Sequence, residues 1–390
     1  MVDAVRQVDG ILASAPDYWD AAGRGLDPVD NINGLLPACR ALPECPKAGE
    51  LITLGRAGSD RLLEIVCTET IDNARFRNAL YLLMYFDSLF AYRTAKEIHK
   101  AASDAQRRWL EAACRKILIR CVEYPETGNE SLTREIPRNT RRDRLATTQM
   151  VVGLAKTLLG TGQRTVNVRD MAVADGITSL DVAVTAAGQG VPISITATDV
   201  QLYLHFVEIH GHRAVFTSDG VAHQYEIQGH LFKTEDRGAS SRHRSAMDAL
   251  DAMFTRGRSE RITMVAPEVE RAAESRRYDM SFKEEDALDP HPDIAEADII
   301  RVANLLVERT VDHRGYFGRE DIIRMVGQIG LHAKNGAHLL LDNFRQKIER
   351  VGHWRKDASS SRWTRVDTGP QIAPALEGVA DIDIPRRSRE

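Results

Sequence analysis

Between Thr165 and Val200 the chain changes texture three times. A short β-branched run, TVNVRDM, gives way to small residues and an Asp-Gly pair. The helical stretch GITSLDVAVTAAGQG follows, and then a second apolar run, VPISITATDV. A strand, a helix and a strand in that order have one common solution: both strands lie parallel in one sheet, and the helix crosses its face with right-handed sense. The amphipathic stretch RRDRLATTQMVVGLAKTLLGTGQ opens this region. YDMSFKEEDALDP, ADIIRVANLL and REDIIRMVGQIGLHAKNGAHLLLDNF extend the alternation, and VGHWRKDASSSRWTRV ends it in an expected hairpin.

A chain of 390 residues is longer than one core usually fills, roughly 250–300 residues, so more than one domain is expected. Residues 1–140 read as a mostly helical N-terminal domain, with apolar residues at three- and four-residue spacing. Asp104 is the expected cap of the helix DAQRRWLEAACRKILIRCVEY. The loop NGLLPACRALPECPKAGE and the linker EYPETGNESLTREIPRN punctuate this region. Residues 141–367 form the expected α/β domain, and 368–390 a flexible tail. From about 203 to 262 the alternation breaks. HRAVFTSDGVAHQYEIQ there predicts a β-hairpin around an Asp-Gly turn, set as an insertion within the α/β domain.

The bulk properties exclude several classes. A net charge of −4 argues against a nucleic-acid partner. The longest apolar run, ALYLLMYF, is far shorter than the ~18 residues of a membrane span. The opening MVDAVRQVDGILASAP lacks the basic-then-apolar order of a signal peptide, so a cytoplasmic location is expected. The five cysteines are an odd number confined to the first third, which predicts buried thiols rather than disulfides. The spacing in CRALPEC does not suit zinc. Six of the twelve histidines fall in the insertion, without nearby cysteines or a helical H-x-x-x-H, so no metal site is expected. Assembly into a homo-oligomer is compatible with all of this.

In an open parallel sheet, ligands bind beyond the C-terminal ends of the strands, where the strand order reverses. Small residues let the backbone approach the ligand there, and the next helix presents unpaired N–H groups. An ionised carboxylate at a strand tip can accept both hydroxyls of a ribose. Asp170 and Asp199 end two consecutive strands as this requires, which points to a nucleoside-containing ligand. Ala172 and Ala174 stand where a glycine loop is usual. A Cβ disfavours left-handed backbone, so negative φ is expected at both. Asn304 breaks an apolar strand, and a buried amide needs partners. Arg134, Arg138, Arg141, Arg142 and Arg144 read as a solvated basic stretch.

From about Arg141 to Val366, excluding the insertion, the chain resembles the class I S-adenosylmethionine-dependent methyltransferases. That family's first motif, acid-x-Gly-x-Gly-x-Gly after a strand, would here be Asp170, Ala172, Ala174 and Gly176. Its ribose-contacting acid matches Asp199 in ITATDV. Its adenine-contacting acid matches Asp286 in KEEDALD, with the Ala287 backbone beside it. The strand facing the methyl acceptor matches ADIIRVANLL, with Asn304 at its end, and GLHAKNGAHLLL is similar to the family's turn before the fifth core strand. ITATDV and the Asn-containing strand with its following Tyr-Phe pair are most similar to the chemoreceptor glutamate methyltransferases. RVAN stands where that group has Cys-Arg-Asn, and the substrate is not carried over.

The resemblance implies a Rossmann-like, doubly wound sheet of seven strands and S-adenosyl-L-methionine as cofactor. It implies methyl transfer to an acceptor, small molecule or protein, that the sequence does not name, and no catalytic residue is assigned. A nicotinamide dehydrogenase shares the architecture. It would show G-x-G-x-x-G at the turn and an acid about 20 residues on; the glycines are absent here and Asp199 lies later. The other reading is a binding or regulatory module that keeps the fold without catalysis.

Overall fold

The computed structural model describes residues 2–15, 53–83, 88–118, 121, 144–233, 243–303, 319–345, 348–358 and 362–366. The loop NGLLPACRALPECPKAGE, the stretch 123–139, Asn304 and the tail from 368 lie outside them. The chain divides into two compact units, each assembled from two separate stretches: Met1–Asn139 with Tyr203–Glu268, and Thr140–Leu202 with Val269–Glu390.

The first unit begins with α1 (Val2–Ser14), α2 (Gly55–Thr68), α3 (Ala74–Leu83), α4 (Leu89–Ala101) and α5 (Asp104–Leu118). The second contributes α6 (Leu145–Leu159), β1 (Val166–Met171), α7 (Ile177–Gly188) and β2 (Ile193–Asp199). The chain then returns to the first unit for β3 (Tyr203–Ile209), β4 (His212–Thr217), β5 (Ala222–Ile227), β6 (His230–Lys233), α8 (Arg244–Thr255) and β7 (Glu260–Thr263). After α9 (Pro267–Glu274), the second unit is completed by β8 (Met280–Glu284), a 3-10 turn (Pro292–Glu296), β9 (Ile299–Ala303), α10 (Arg319–His332), β10 (His338–Arg345), β11 (Ile348–Lys356) and β12 (Trp363–Arg365).

In the first unit, the hairpin around Asp219-Gly220 is present, and three more strands extend it to the antiparallel order β6-β5-β4-β3-β7. Its apolar face shares one core with the N-terminal helices: Phe206, Val215 and Met264 pack in the same buried cluster as Leu62, Phe76, Leu80 and Tyr92. Polar contacts fix the match. Lys96 Nζ donates to the carbonyls of Thr263 (2.7 Å) and Val265 (3.1 Å), and Gln224 Oε1 accepts the Leu89 N–H at 2.8 Å. The cap of α5 is Ser103 rather than Asp104. Gln106 N–H reaches Ser103 Oγ while Gln106 Oε1 accepts the Ser103 N–H, a reciprocal box that satisfies two orphan donors. Asp104 instead pairs with Arg107 one turn along.

The second unit carries a seven-stranded sheet in the order β12-β11-β10-β9-β1-β2-β8. The strands from β8 to β10 are parallel, whereas β11 is antiparallel to both of its neighbours. This is the doubly wound α/β architecture. The chain starts at the centre with β1, moves outward through β2 to β8, then crosses to the other side of β1 for β9 and β10. The order therefore reverses between β1 and β9, where the crevice for a ligand is expected. Ile299, Ile300 and Val302 of β9 are all buried, as a strand covered on both faces requires. The N-terminus of α6 is held by Glu349 of β11, whose carboxylate accepts the N–H groups of Ala146 (2.8 Å) and Thr147 (2.9 Å). Among the described residues, no helix is long and apolar enough to cross a membrane.

Candidate functional site

The turn after β1 departs from the expectation of negative φ. Ala172 has φ 58, Ala174 φ 55 and Gly176 φ 75, so all three positions of the glycine motif are left-handed. A Cβ in that region costs roughly 1–2 kcal/mol per residue, and such conformations persist only where the surroundings over-determine them. Here they do. Val173 is buried and its N–H donates to Thr198 O at 3.1 Å; Gly176 N–H donates back to Val173 O at 2.9 Å. Asp175 Oδ1 accepts the Ile177 N–H at 3.2 Å, at the start of α7. With the Ala174 N–H held by Asp199, these bonds fix the two peptide planes between Ala172 and Ala174, and both alanines stay partly exposed.

Asp199 ends β2 and is buried against this turn. Its Oδ2 accepts the Ala174 N–H at 2.9 Å, while Oδ1 stands 3.5 Å from the Gln201 N–H. The acid predicted at the second strand tip and the loop predicted at the first are thus joined directly. Burial pushes the Asp199 carboxyl up to about 6, against the opposing pull of the N–H groups of Ala174, Gln201 and Val200; the Glu284 carboxylate adds to the rise. Glu284 is the register partner of Asp199 on β8, and its Oε1 accepts the Leu202 N–H at 2.9 Å.

Asp170 is buried on β1, and its Oδ2 is shared. Ser179 Oγ of α7 donates to it at 2.6 Å, and Arg301 Nη1 of β9 at 2.9 Å. Arg301 is the register partner of Asp170 and is fully buried in an otherwise apolar strand. Burial lowers the Arg301 pKa, but Asp170 and Asp342 outweigh it and hold the guanidinium above its ordinary value. Beyond Arg301, Asp342 Oδ2 of β10 lies 3.7 Å from Nη2 and accepts Arg144 Nη1 at 2.8 Å. Two guanidiniums and two carboxylates therefore alternate across the switch point. Arg144 is buried within this chain, not part of a solvated basic stretch; Arg134, Arg138, Arg141 and Arg142 lie outside the described residues.

Asp286 follows β8 and is half-buried. Its Oδ1 accepts the Leu288 N–H at 2.9 Å, closing a local turn, and Ala287 beside it is buried. The residue that ties this segment to the sheet is Glu285. Its N–H donates to Asp199 O at 2.8 Å, its Oε1 accepts the His291 N–H at 2.7 Å, and Oε2 faces Arg169 Nη1 at 3.5 Å. Asp170, the turn 172–176, Asp199, Asp286 and Ala287 thus share the C-terminal edge of the adjacent strands β1, β2 and β8. Asn304, one residue past β9, lies outside the described residues.

Sequence reasoning missed Arg301, Ser179 and Asp342, and it weighed Glu285 only as one of the acids competing with Asp286 in the run KEEDALD. One signal was available for Arg301, a lone cation inside IIRVA. Among the described residues, no group of three or more His, Cys, Asp or Glu side chains is placed to hold a metal ion. His205 in the first unit sits between two hydroxyls, Ser259 Oγ and Ser218 Oγ, each at 3.1 Å.

No protein-family model matches the chain. No curated protein sequence matches it significantly. Among solved structures, it is similar to the CMeT domain of the citrinin polyketide synthase, with 12% identity and TM-score 0.28, covering 82% of this chain and 61% of that one. A S-adenosylmethionine-dependent methyltransferase from Clostridium acetobutylicum shares 9% identity at TM-score 0.28, covering 61% of this chain and 79% of that one. An O-methyltransferase family protein from Burkholderia thailandensis shares 13% identity at TM-score 0.24, covering 87% and 77% respectively. At these identities and scores, the function has to be argued from the site itself.

Proposed function

We propose that the second unit binds S-adenosyl-L-methionine and that the protein transfers its methyl group to an acceptor, small molecule or protein. One observation carries this reading. A turn that is left-handed at three alternate positions is clamped, through Ala174 N–H, by the buried acid at the tip of the neighbouring strand.

The residues present fit the group. The backbone of 172–176 would run along the cofactor, and Asp199 would accept ribose hydroxyls at Oδ1, which stands 3.5 Å from the Gln201 N–H. Asp286 and the Ala287 backbone would face the base. Asp170, with Oδ2 already holding Ser179 and Arg301, supports the turn and keeps only Oδ1 without a hydrogen bond. When bound, the sulfonium supplies an electrophilic methyl group. The chain's contribution is alignment: methyl transfer needs the nucleophile in line with the S–CH₃ bond, and position matters more than a strong base.

Calorimetric titration with S-adenosylmethionine and with S-adenosylhomocysteine tests the reading. Micromolar binding is expected, with at least a tenfold loss for Asp199→Ala. No binding by the wild type would sink the proposal, and unchanged affinity in the variant would sink the site assignment. The second reading is a ligand-binding module without transfer, favoured by the partly exposed methyl groups at Ala172 and Ala174 in the cradle. Binding without turnover over a panel of acceptors would support it.

A further inference from the structure

One cluster of chemistry-bearing side chains lies within the first unit, on β3 and the two segments beside it. His205 has both ring nitrogens engaged by hydroxyl groups: Nδ1 stands 3.1 Å from Ser259 Oγ, just before β7, and Nε2 stands 3.1 Å from Ser218 Oγ. The imidazole is also held from the side. It meets the Phe254 ring nearly at right angles, with centroids 5.6 Å apart, and Phe254 is stacked on Phe216 at 4.6 Å. Ser218 is exposed, in the turn between β4 and β5. That turn is tight. Gly220 N–H donates to Thr217 O at 2.9 Å, Thr217 N–H donates to Val221 O at 2.9 Å, and Gly220 takes φ 86.

An unprotonated imidazole has one N–H donor and one acceptor nitrogen, so its two serines play opposite parts. With the proton on Nδ1 and donated to Ser259, Nε2 is left to accept the hydroxyl proton of Ser218. A hydroxyl within hydrogen-bond reach of a base, with that base oriented by a third group, is the arrangement that activates a nucleophile. A sharp turn beneath the serine presents its oxygen to an incoming carbon. We propose that Ser218, His205 and Ser259 form a second reactive site, in which Ser218 takes an acyl group from an activated ester. Ser218 Oγ bonds to the acyl carbon, and the bond from that carbon to the leaving oxygen breaks, its electron pair going with the oxygen. The serine proton passes to His205 Nε2 and from there to the leaving group. Water then reverses the sequence: its oxygen bonds to the acyl carbon, its proton returns through Nε2 to Ser218 Oγ, and the free acid departs. Ser218 and His205 act on the substrate, whereas Ser259 positions the imidazole. Base assistance of this kind supplies about 10²–10⁴-fold, so the substrate class is an ester whose leaving group is already a weak base. The site is independent of the nucleoside reading of the second unit.

The test is acetylation of the full chain by p-nitrophenyl acetate. It is followed as release of p-nitrophenolate, with the acetyl group located by peptide mass spectrometry. Ser245, an exposed serine on α8, is the internal reference. Ser218 should be acetylated about 100-fold faster than Ser245, at a rate that rises with pH as one imidazole loses its proton. His205→Gln should remove that advantage and flatten the pH profile. Ser259→Ala should slow acetylation several-fold, and Ser259→Thr, which keeps the hydroxyl, should restore it. Equal rates at Ser218 and Ser245 in the wild type would overturn the proposal without any variant. An unchanged Ser218 rate in His205→Gln would do the same, as would acetyl carried by His205 with Ser218 untouched. Circular dichroism and the urea midpoint of each variant separate misfolding from lost reactivity.

Discussion

Replacing Asp199 by asparagine should make the protein more stable at alkaline pH while weakening its ligand. The carboxyl titrates near 3.8 when the chain is unfolded and near 6 when folded, because it is buried beside Glu284. At roughly 1.36 kcal/mol per pH unit, that gap is worth about 3 kcal/mol. The folded state holds this proton more tightly, so the stabilisation is complete below 3.8 and is lost as the pH rises through 6. Integrated over the window from pH 5 to pH 8, the loss is about 1.4 kcal/mol. Asparagine cannot titrate, and its carbonyl oxygen can still accept the Ala174 N–H. Urea unfolding of both proteins, without ligand, at several pH values cancels every other titrating group in the difference. The variant's stability minus that of the wild type should climb by about 1.4 kcal/mol between pH 5 and pH 8. A flat or falling difference would refute the burial argument. The same substitution should weaken nucleoside binding at pH 8, since a neutral amide is a poorer acceptor for two hydroxyls than a carboxylate.

Three further outcomes are expected. Ala172→Gly and Ala174→Gly each release a left-handed Cβ worth roughly 1–2 kcal/mol, offset in part by the added freedom of the unfolded glycine. A gain of up to about 1 kcal/mol each in urea denaturation is expected, and a loss at either position would contradict the observed turn. Arg301→Met should cost about 3–5 kcal/mol by leaving the Asp170 carboxylate buried without its cation, and adding Asp170→Asn should recover most of it. Additive costs in the double variant would separate the two residues. Lys96→Met should destabilise the first unit by about 2–3 kcal/mol, because one buried and one partly buried carbonyl lose a charged donor. Thermal unfolding of the full chain checks this, and an unchanged midpoint would rule it out.

The sheet was readable because its strands are short β-branched runs separated by helical periods, and the two strand-tip acids were readable from where those runs end. The conformation of the turn was not. Reasoning from Ala172 and Ala174 alone treats φ as a local preference, whereas Thr198 O and Asp199 Oδ2 impose it from the neighbouring strand. Arg301 was hidden for a related reason. Its partners Asp170 and Asp342 are far away in sequence and meet it only through strand register. The same holds for Arg144, whose run of arginines looks solvated until Asp342 is placed beside it. Ser103, by contrast, was legible: Ser-x-x-Gln before a helix is a capping pattern.

The chain visits each compact unit twice. The apolar core of the first unit needs Leu204, Phe206, Val215 and Met264 as well as the N-terminal helices. During synthesis those helices therefore emerge long before the residues that complete their core, while the central strands β1 and β2 are made in between. A fragment cut at Asn139 would expose the apolar faces of α2, α3 and α4 with nothing to cover them. A fragment starting at Thr140 would carry β3 to β7 without the helices they pack against. Neither unit can be excised by a single cut, and any shortened version of this protein has to preserve all three crossings between them.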